Sequence, residues 1–157
     1  MDALAALLMT WIAENSDYRT AHLPVPAIVE MSPQELTREA YKDNPKMLPD
    51  GGIDDRILAL YSFEDGAHGT IFVLGAKWTD DGSAPDLPPQ SDPVFQERVL
   101  HELVHHVQRV TGAYDRFPCR NFGEREAYDL GGKFLKQRHV RDPLPNRVFW
   151  ATIYSRC

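Results

Sequence analysis

The feature that most limits what this chain can fold into is the segment from Asp92 to Gly112, which reads as one helix and carries His101-Glu102-Leu103-Val104-His105 at its centre. Asp92 supplies an N-cap, Pro93 the first helical position, and Thr111-Gly112 a left-handed stop. Val99, Leu103, Val107 and Val110 recur at helical spacing and form the stripe expected to face the core. His101, His105 and Gln108 fall on the opposite side with Val94 beneath them, so both histidines are expected to look out of the core into open space. His106 falls towards the core stripe and is expected to be a packed, hydrogen-bonded histidine rather than a ligand.

The chemistry follows from the spacing. Residues four apart on a helix project from one face, so His101 and His105 can hold two corners of one zinc ion. Glu102 stands beside them, where a carboxylate can take the proton of a water activated by that ion. A catalytic zinc commonly uses three protein ligands and keeps one position for water, so the chain must supply another group. The last long helix, from an N-cap at Asn121 to about Arg138, offers Glu124 and Glu126. Two residues apart, they point to nearly opposite faces and cannot both reach one ion. Glu124 shares its face with Ala127, Tyr128, Gly131 and Leu135, and the small residues at 127 and 131 let this helix approach the motif helix closely. Glu126 shares its face with Asp129 and Lys133 and reads as solvent-facing. Glu124 is therefore the expected ligand. Two plainer readings compete: a capping box between Asn121 and Glu124, which needs no metal, and a chance occurrence of a short motif.

The rest of the chain supplies a domain around that helix. Its 157 residues suit one domain with one core. Ala3 to Ala13 has the length of a leader core, but Asp2 precedes it and Glu14-Asn15-Ser16-Asp17 follows. It is expected to be an amphipathic helix of the folded domain with Leu4, Leu7, Leu8, Trp11 and Ile12 inward. After an extended Leu23-Pro24-Val25-Pro26 connector come a short strand, Ala27 to Met31, and a helix from Ser32-Pro33-Gln34-Glu35 to about Tyr41. Ile57 to Ser62 and Thr70 to Leu74 read as a strand pair joined by a turn, between loops at Asn44 to Gly52 and Lys77 to Gln90. The second loop is long enough to belong to a cleft rim. An aromatic tail, Pro143 to Cys157, is expected to pack back on the domain.

Composition narrows the partners. A net charge of -6 argues against nucleic acid, and the basic run from Lys133 to Arg141 reads as a solvated helix end. No apolar run approaches the ~20 residues that span a bilayer. Cys119 and Cys157 are the two cysteines. A disulfide between them would pin the C-terminus to the loop before the last long helix and suit a periplasmic or secreted protein. Two separate thiols would suit the cytoplasm. A terminal cysteine has little packing value of its own, which favours the bridge.

His101-Glu102-x-x-His105, followed by Glu124-Arg125-Glu126-Ala127-Tyr128, resembles the gluzincin branch of the zincin metallopeptidases, and over residues 92–135 it is similar to small bacterial zincin-like proteins. The resemblance implies an α+β fold in a single domain, 1–157. A small antiparallel or mixed sheet of about three strands would pack on the active-site helix and the glutamate helix. It implies one Zn²⁺ ion held by His101, His105 and Glu124, with Glu102 as general base in hydrolysis of a peptide or protein substrate. An edge strand of the sheet, Thr70 to Leu74, would pair with that substrate. Ala127 matches the small residue that gluzincins commonly carry three positions after the ligand. Tyr128 departs from the pattern, since many gluzincins place there an acidic residue that orients a histidine. Tyr128, Tyr154, His139 and Arg156 are the candidates for stabilising the oxyanion. A reading from a different class is a zincin-like module that binds zinc without general proteolysis.

Overall fold

Strands form where β-branched and aromatic residues gather between turns. In the computed structural model, which describes residues 1–75 and 87–157, β1 (Ala27–Met31), β2 (Ala59–Ser62) and β3 (Thr70–Leu74) make a mixed sheet in the order β1-β3-β2. β2 and β3 are the expected antiparallel pair, although β2 starts at Ala59 rather than Ile57, and β1 joins β3 in parallel. The connecting turn uses Gly66 and Gly69 at φ of 78° and 84°, a region where a side chain would be strained. β3 is therefore central, and the expectation that it offers an edge to a ligand is overturned. The reason is its composition: four of its five residues are buried, and a strand this apolar is best satisfied with neighbours on both sides. Among the described residues, the free edges belong to β1 and β2.

Five α-helices accompany this sheet among the described residues, giving an α+β architecture. α1 (Asp2–Asn15) buries Leu4, Leu8, Trp11 and Ile12 as expected, with Ala5 and Met9. Leu7 is instead 52% exposed, because the buried arc centres on Leu8 and Ile12 and Leu7 lies past its edge. α2 (Pro33–Ala40) opens with the anticipated capping box between Ser32 and Glu35 and packs against β1 and β3. α3 (Pro93–Val110) is the motif helix, and the Asp92 side chain caps the Val94 N–H. Val99, Leu103 and Val107 are fully buried, while Val110, in the last turn, has run past the core and is 37% exposed. These residues meet Leu8 and Ile12, Phe134, and Ile71 and Val73 of β3 in one apolar cluster. α4 (Glu124–Gln137) lies along α3, and its basic end is solvated as expected.

The aromatic tail is itself a helix, α5 (Arg147–Tyr154), packed on α4 through a buried Ala151, with Val148 and Phe149 left exposed. A Cys119–Cys157 disulfide ties the residues after α5 to the loop before α4. Residues 77–86 of the second loop lie outside the described residues. Among those described, no helix is long and apolar enough to cross a membrane.

Candidate metal centre

α3 and α4 meet closely because α4 presents Ala127, fully buried, and Gly131 along the seam. A methyl group at Gly131 would collide with the carboxylate of Glu97 on α3, and would sit 3.0 Å from Nη1 of Arg147 on α5. A mid-helix glycine costs roughly 1 kcal/mol against alanine, so this close approach explains its presence.

The approach brings the first residue of α4 across to the motif. Glu124 Oε2 lies 3.2 Å from His101 Nε2, Glu124 Oε1 lies 3.4 Å from His105 Nε2, and the two Nε2 atoms are 3.3 Å apart. Donor atoms about 2.1 Å from a tetrahedral ion are separated by ~3.4 Å, so these spacings fit the edges of one coordination shell. His101, His105 and Glu124 thus form a group that could hold a metal ion. The capping-box alternative fails, because α4 begins later than the sequence suggested. Asn121 lies within a 3-10 turn (Arg120–Gly123), its Nδ2 donates to the Arg156 carbonyl at 3.1 Å, and Gly123 precedes α4 with no side-chain cap. Glu124 is free to turn to the histidines.

The histidines look into cavities between elements rather than into bulk solvent. Their side chains are only 16% and 11% exposed, sunk between α3, α4 and β2. Behind His105, Gln108 is fully buried rather than outward. Its Oε1 lies 3.1 Å from His105 Nδ1, and its Nε2 donates to the Gly123 carbonyl at 3.0 Å and to Glu126 Oε2 at 2.9 Å. Glu126 also accepts from the Tyr18 hydroxyl at 2.8 Å, so it is an internal support of the centre and not the solvent-facing residue expected from its face. A contact made by Tyr18, more than a hundred residues away in sequence, carries no local signal. His106 is fully buried and bonded to the Tyr61 hydroxyl and the Pro24 carbonyl, as anticipated.

Burial and charge set the protonation of the group. Burial works against a charged His105, but the hydrogen bond it donates to Glu124, with the charges of Glu102 and Glu124, pushes its pKa up to about 9. Burial would raise the Glu124 carboxyl, yet its bonds to His101 and His105 hold it far below the usual carboxylate range. Glu102 is buried, and desolvation raises its pKa against the opposing pull of the two histidines. A carboxylate raised in this way is a better proton acceptor than a solvated one.

Glu102 lines two cavities that open on either side of His101. One, of about 370 Å³, is bounded by Leu60, Phe63, Arg109, Tyr114 and Arg120; the other, of about 590 Å³, by Leu58, Tyr128, Leu144, Trp150 and Tyr154. Of the four oxyanion candidates, Tyr128 and Tyr154 line the larger cavity, and the Tyr128 ring packs 4.8 Å from that of His101. His139, at positive φ just beyond the end of α4, and Arg156 line neither. Sequence reasoning missed Tyr114, Arg109 and Arg120. Arg109 carries a usable signal, four residues after His105 on the same face; Tyr114 and Arg120 sit in irregular turns and carry none.

β2 forms the wall opposite α3. The Leu74 N–H donates to the Leu58 carbonyl at 2.9 Å, which fixes the parity of the ladder. Leu58, Leu60 and Ser62 turn their backbone groups towards β3, and those of Ala59 and Tyr61 point from the free edge. Comparison of the chain with protein-family models, curated proteins and solved structures finds no match.

Proposed function

We propose that this protein is a zinc metallopeptidase of gluzincin type. The observation that carries the reading is the approach of Glu124 to both motif histidines at ligand spacing. The nitrogen and oxygen donor set and the tetrahedral edge lengths favour Zn²⁺ among divalent ions. A zincin-like arrangement is also supported by β2, a free sheet edge running beside the motif helix. The room on both sides of His101 favours an enzyme over a module that only binds zinc.

His101, His105 and Glu124 would hold the ion, which when bound supplies Lewis-acid activation of water and of a carbonyl. The chain's own groups do the rest. The backbone groups of Ala59 and Tyr61 on the β2 edge bind an extended peptide by strand addition and set its carbonyl against the centre. Glu102, raised in pKa and lining both cavities, accepts the proton of the attacking water and delivers it to the departing amine. Tyr128 or Tyr114 donates a hydrogen bond to the oxyanion. The disulfide suits an oxidising compartment, so we place the protein in the periplasm or outside the cell.

The test is metal analysis of protein purified without added zinc, followed by a peptide-library digest with and without chelator. Near-stoichiometric zinc is expected in the wild type and in Glu102→Gln, and its loss in Glu124→Ala. Only the wild type should cut peptides. A Glu102→Gln protein as active as wild type, or a Glu124→Ala protein that keeps its metal, would refute the assignment.

A further inference from the structure

The two sides of the cleft differ in chemistry, and that difference specifies a class of peptide. Glu97, His101, His105 and Arg109 stand four residues apart and form one row along α3. β2 runs beside this row in the same direction. The Arg109 guanidinium lies 4.2 Å from the Phe63 ring centre, Tyr61 bonds to His106, and Ala59 lines both cavities with His101. The cleft therefore has a Glu97 end and an Arg109 end, with the metal group between them.

At the Glu97 end every arginine is matched by a carboxylate, with one negative charge in excess. Arg147 pairs with Glu97 at 2.7 Å and with Asp142 at 2.6 Å, and Arg56 is held by Asp54 at 2.7 Å. Asp55 and Arg98 add one charge of each sign. What remains is a wall of Leu58, Leu144, Trp150 and Tyr154, with Trp150 and Tyr154 stacked 5.7 Å apart. That wall suits a bulky apolar side chain.

At the Arg109 end the charges do not cancel. Arg109 and Arg120 are both exposed, and neither forms an ion pair with a described residue. Stacking on Phe63 holds the Arg109 guanidinium by its face and leaves the N–H groups at its edge available. Glu102 and Glu124 also line this cavity, but their charge is offset once a divalent ion is held. Among the described residues two arginines then remain uncompensated, in a chain whose net charge is -6. Arg109 is one helical turn from His105, ~6 Å along the axis. Alternate side chains of an extended strand are ~7 Å apart, so an acid within two residues of the cut bond reaches the arginines.

We propose that the cleft selects extended peptides carrying an acidic side chain on one side of the scissile bond and a large apolar or aromatic one on the other. This rests on reading the cleft as a peptide site, and the test separates the two. Zinc-loaded Glu102→Gln protein is titrated with labelled peptides that carry Glu, Gln or Lys at the acidic position and Phe or Ser at the apolar one. Wild-type protein is assayed for hydrolysis of the same set. Two partly exposed cations should favour Glu over Lys by about ten-fold, with the ratio falling as salt rises. The double variant Arg109→Gln/Arg120→Gln should level that ratio. Arg109→Gln/Arg120→Glu should invert it towards Lys, an outcome that a misfolded protein cannot produce. Trp150→Ala should lose the Phe preference and keep the Glu preference.

Peptides bound or cut without regard to charge, or a ratio unmoved by the arginine variants, would overturn the proposal. If the charge preference appears in binding but the wild type cuts nothing, the selectivity stands and the peptidase reading falls. If the wild type cuts all peptides alike, the peptidase reading stands and the selectivity falls. If nothing is bound or cut, both fall.

Discussion

Replacing Gln108 by leucine tests whether the metal centre depends on the tautomer of His105. Gln108 is fully buried, and its Nε2 faces the Gly123 carbonyl at 3.0 Å and Glu126 Oε2 at 2.9 Å. Both partners only accept, so the amide nitrogen must point at them and Oε1 must point at His105 Nδ1, 3.1 Å away. In the neutral ring that a metal requires, Nδ1 then carries the proton and Nε2 keeps its lone pair for the ion. Leucine keeps the bulk and removes the lock. Loss of such an outer partner typically weakens metal binding by about 10–100-fold, or roughly 1.4–2.7 kcal/mol. Stability falls separately, because the Gly123 carbonyl loses its buried donor while Glu126 retains the Tyr18 hydroxyl. One buried orphan and one weakened carboxylate amount to about 2–4 kcal/mol.

A charge-conserving swap distinguishes lock from scaffold. Gln108→Glu alone keeps an acceptor for Nδ1 but sets two carboxylates against each other. Gln108→Glu/Glu126→Gln restores a donor between the two positions and leaves Tyr18 its acceptor, while the Gly123 carbonyl stays without its donor as it does in Gln108→Leu. Zinc affinity, measured by competition with a chromophoric chelator, should drop about 10–100-fold in Gln108→Leu and return to within a few-fold of wild type in the swap. Thermal melts of the metal-free proteins report the stability loss independently. A Gln108→Leu protein that melts earlier yet binds zinc as tightly as wild type would refute the tautomer argument and reduce Gln108 to a packing residue.

Two further expectations concern protons and packing. In the metal-free fold the His105 pKa is pushed up to about 9, against an ordinary value near 6.5 in the unfolded chain. The protonated ring therefore adds stability that is complete below about pH 6.5 and lost as pH rises through about 9. Because the ring must be neutral to ligate, zinc loading at pH 7 should release about one proton from His105, and almost none well above pH 9. Calorimetry in buffers of different ionisation enthalpy measures this, and an absence of release at pH 7 would contradict it. Gly131→Ala should lower stability by about 2 kcal/mol despite better helix propensity, because Glu97 and Arg147 are too buried to move aside. A thermal melt reads this as a fall of ~4–8 °C, and an unchanged or higher melting point would show that the seam yields.

Much of the site was legible because its signals are local. The Asp92 cap, the Gly112 stop and the four-residue histidine spacing each depend on neighbours within a turn or so, and all appear as read. The Ser32–Glu35 capping box and the β2–β3 pair are local in the same sense. The sheet order was not, because it turns on which strand captures β1 across some forty intervening residues. β3 won that place by being the most thoroughly apolar strand, and the edge beside the cleft fell to β2. The roles of Glu126 and Gln108 were hidden for a related reason. Each looks solvent-directed on its own helix and is internal only because α3 and α4 meet, with Tyr18 closing the gap.

Glu124 shows how a local rule and a tertiary one compete for one side chain. Its offset from Asn121 satisfies the capping-box pattern, which is worth ~1 kcal/mol at a helix start. The chain instead winds a 3-10 turn through Asn121 and starts α4 at Glu124 itself, so the carboxylate lies at the helix N-terminus, where a negative charge is favoured. Two histidines then compete for it, and their hold is strong enough to keep a largely buried carboxyl ionised far below its ordinary range. Asn121 is released to bond the Arg156 carbonyl, next to the Cys119–Cys157 bridge. The disulfide and the metal group thus sit at opposite ends of the same short turn. Tethering at Cys119 limits how far that turn can rewind into a longer α4, and a longer α4 is the state in which the capping box would recapture Glu124.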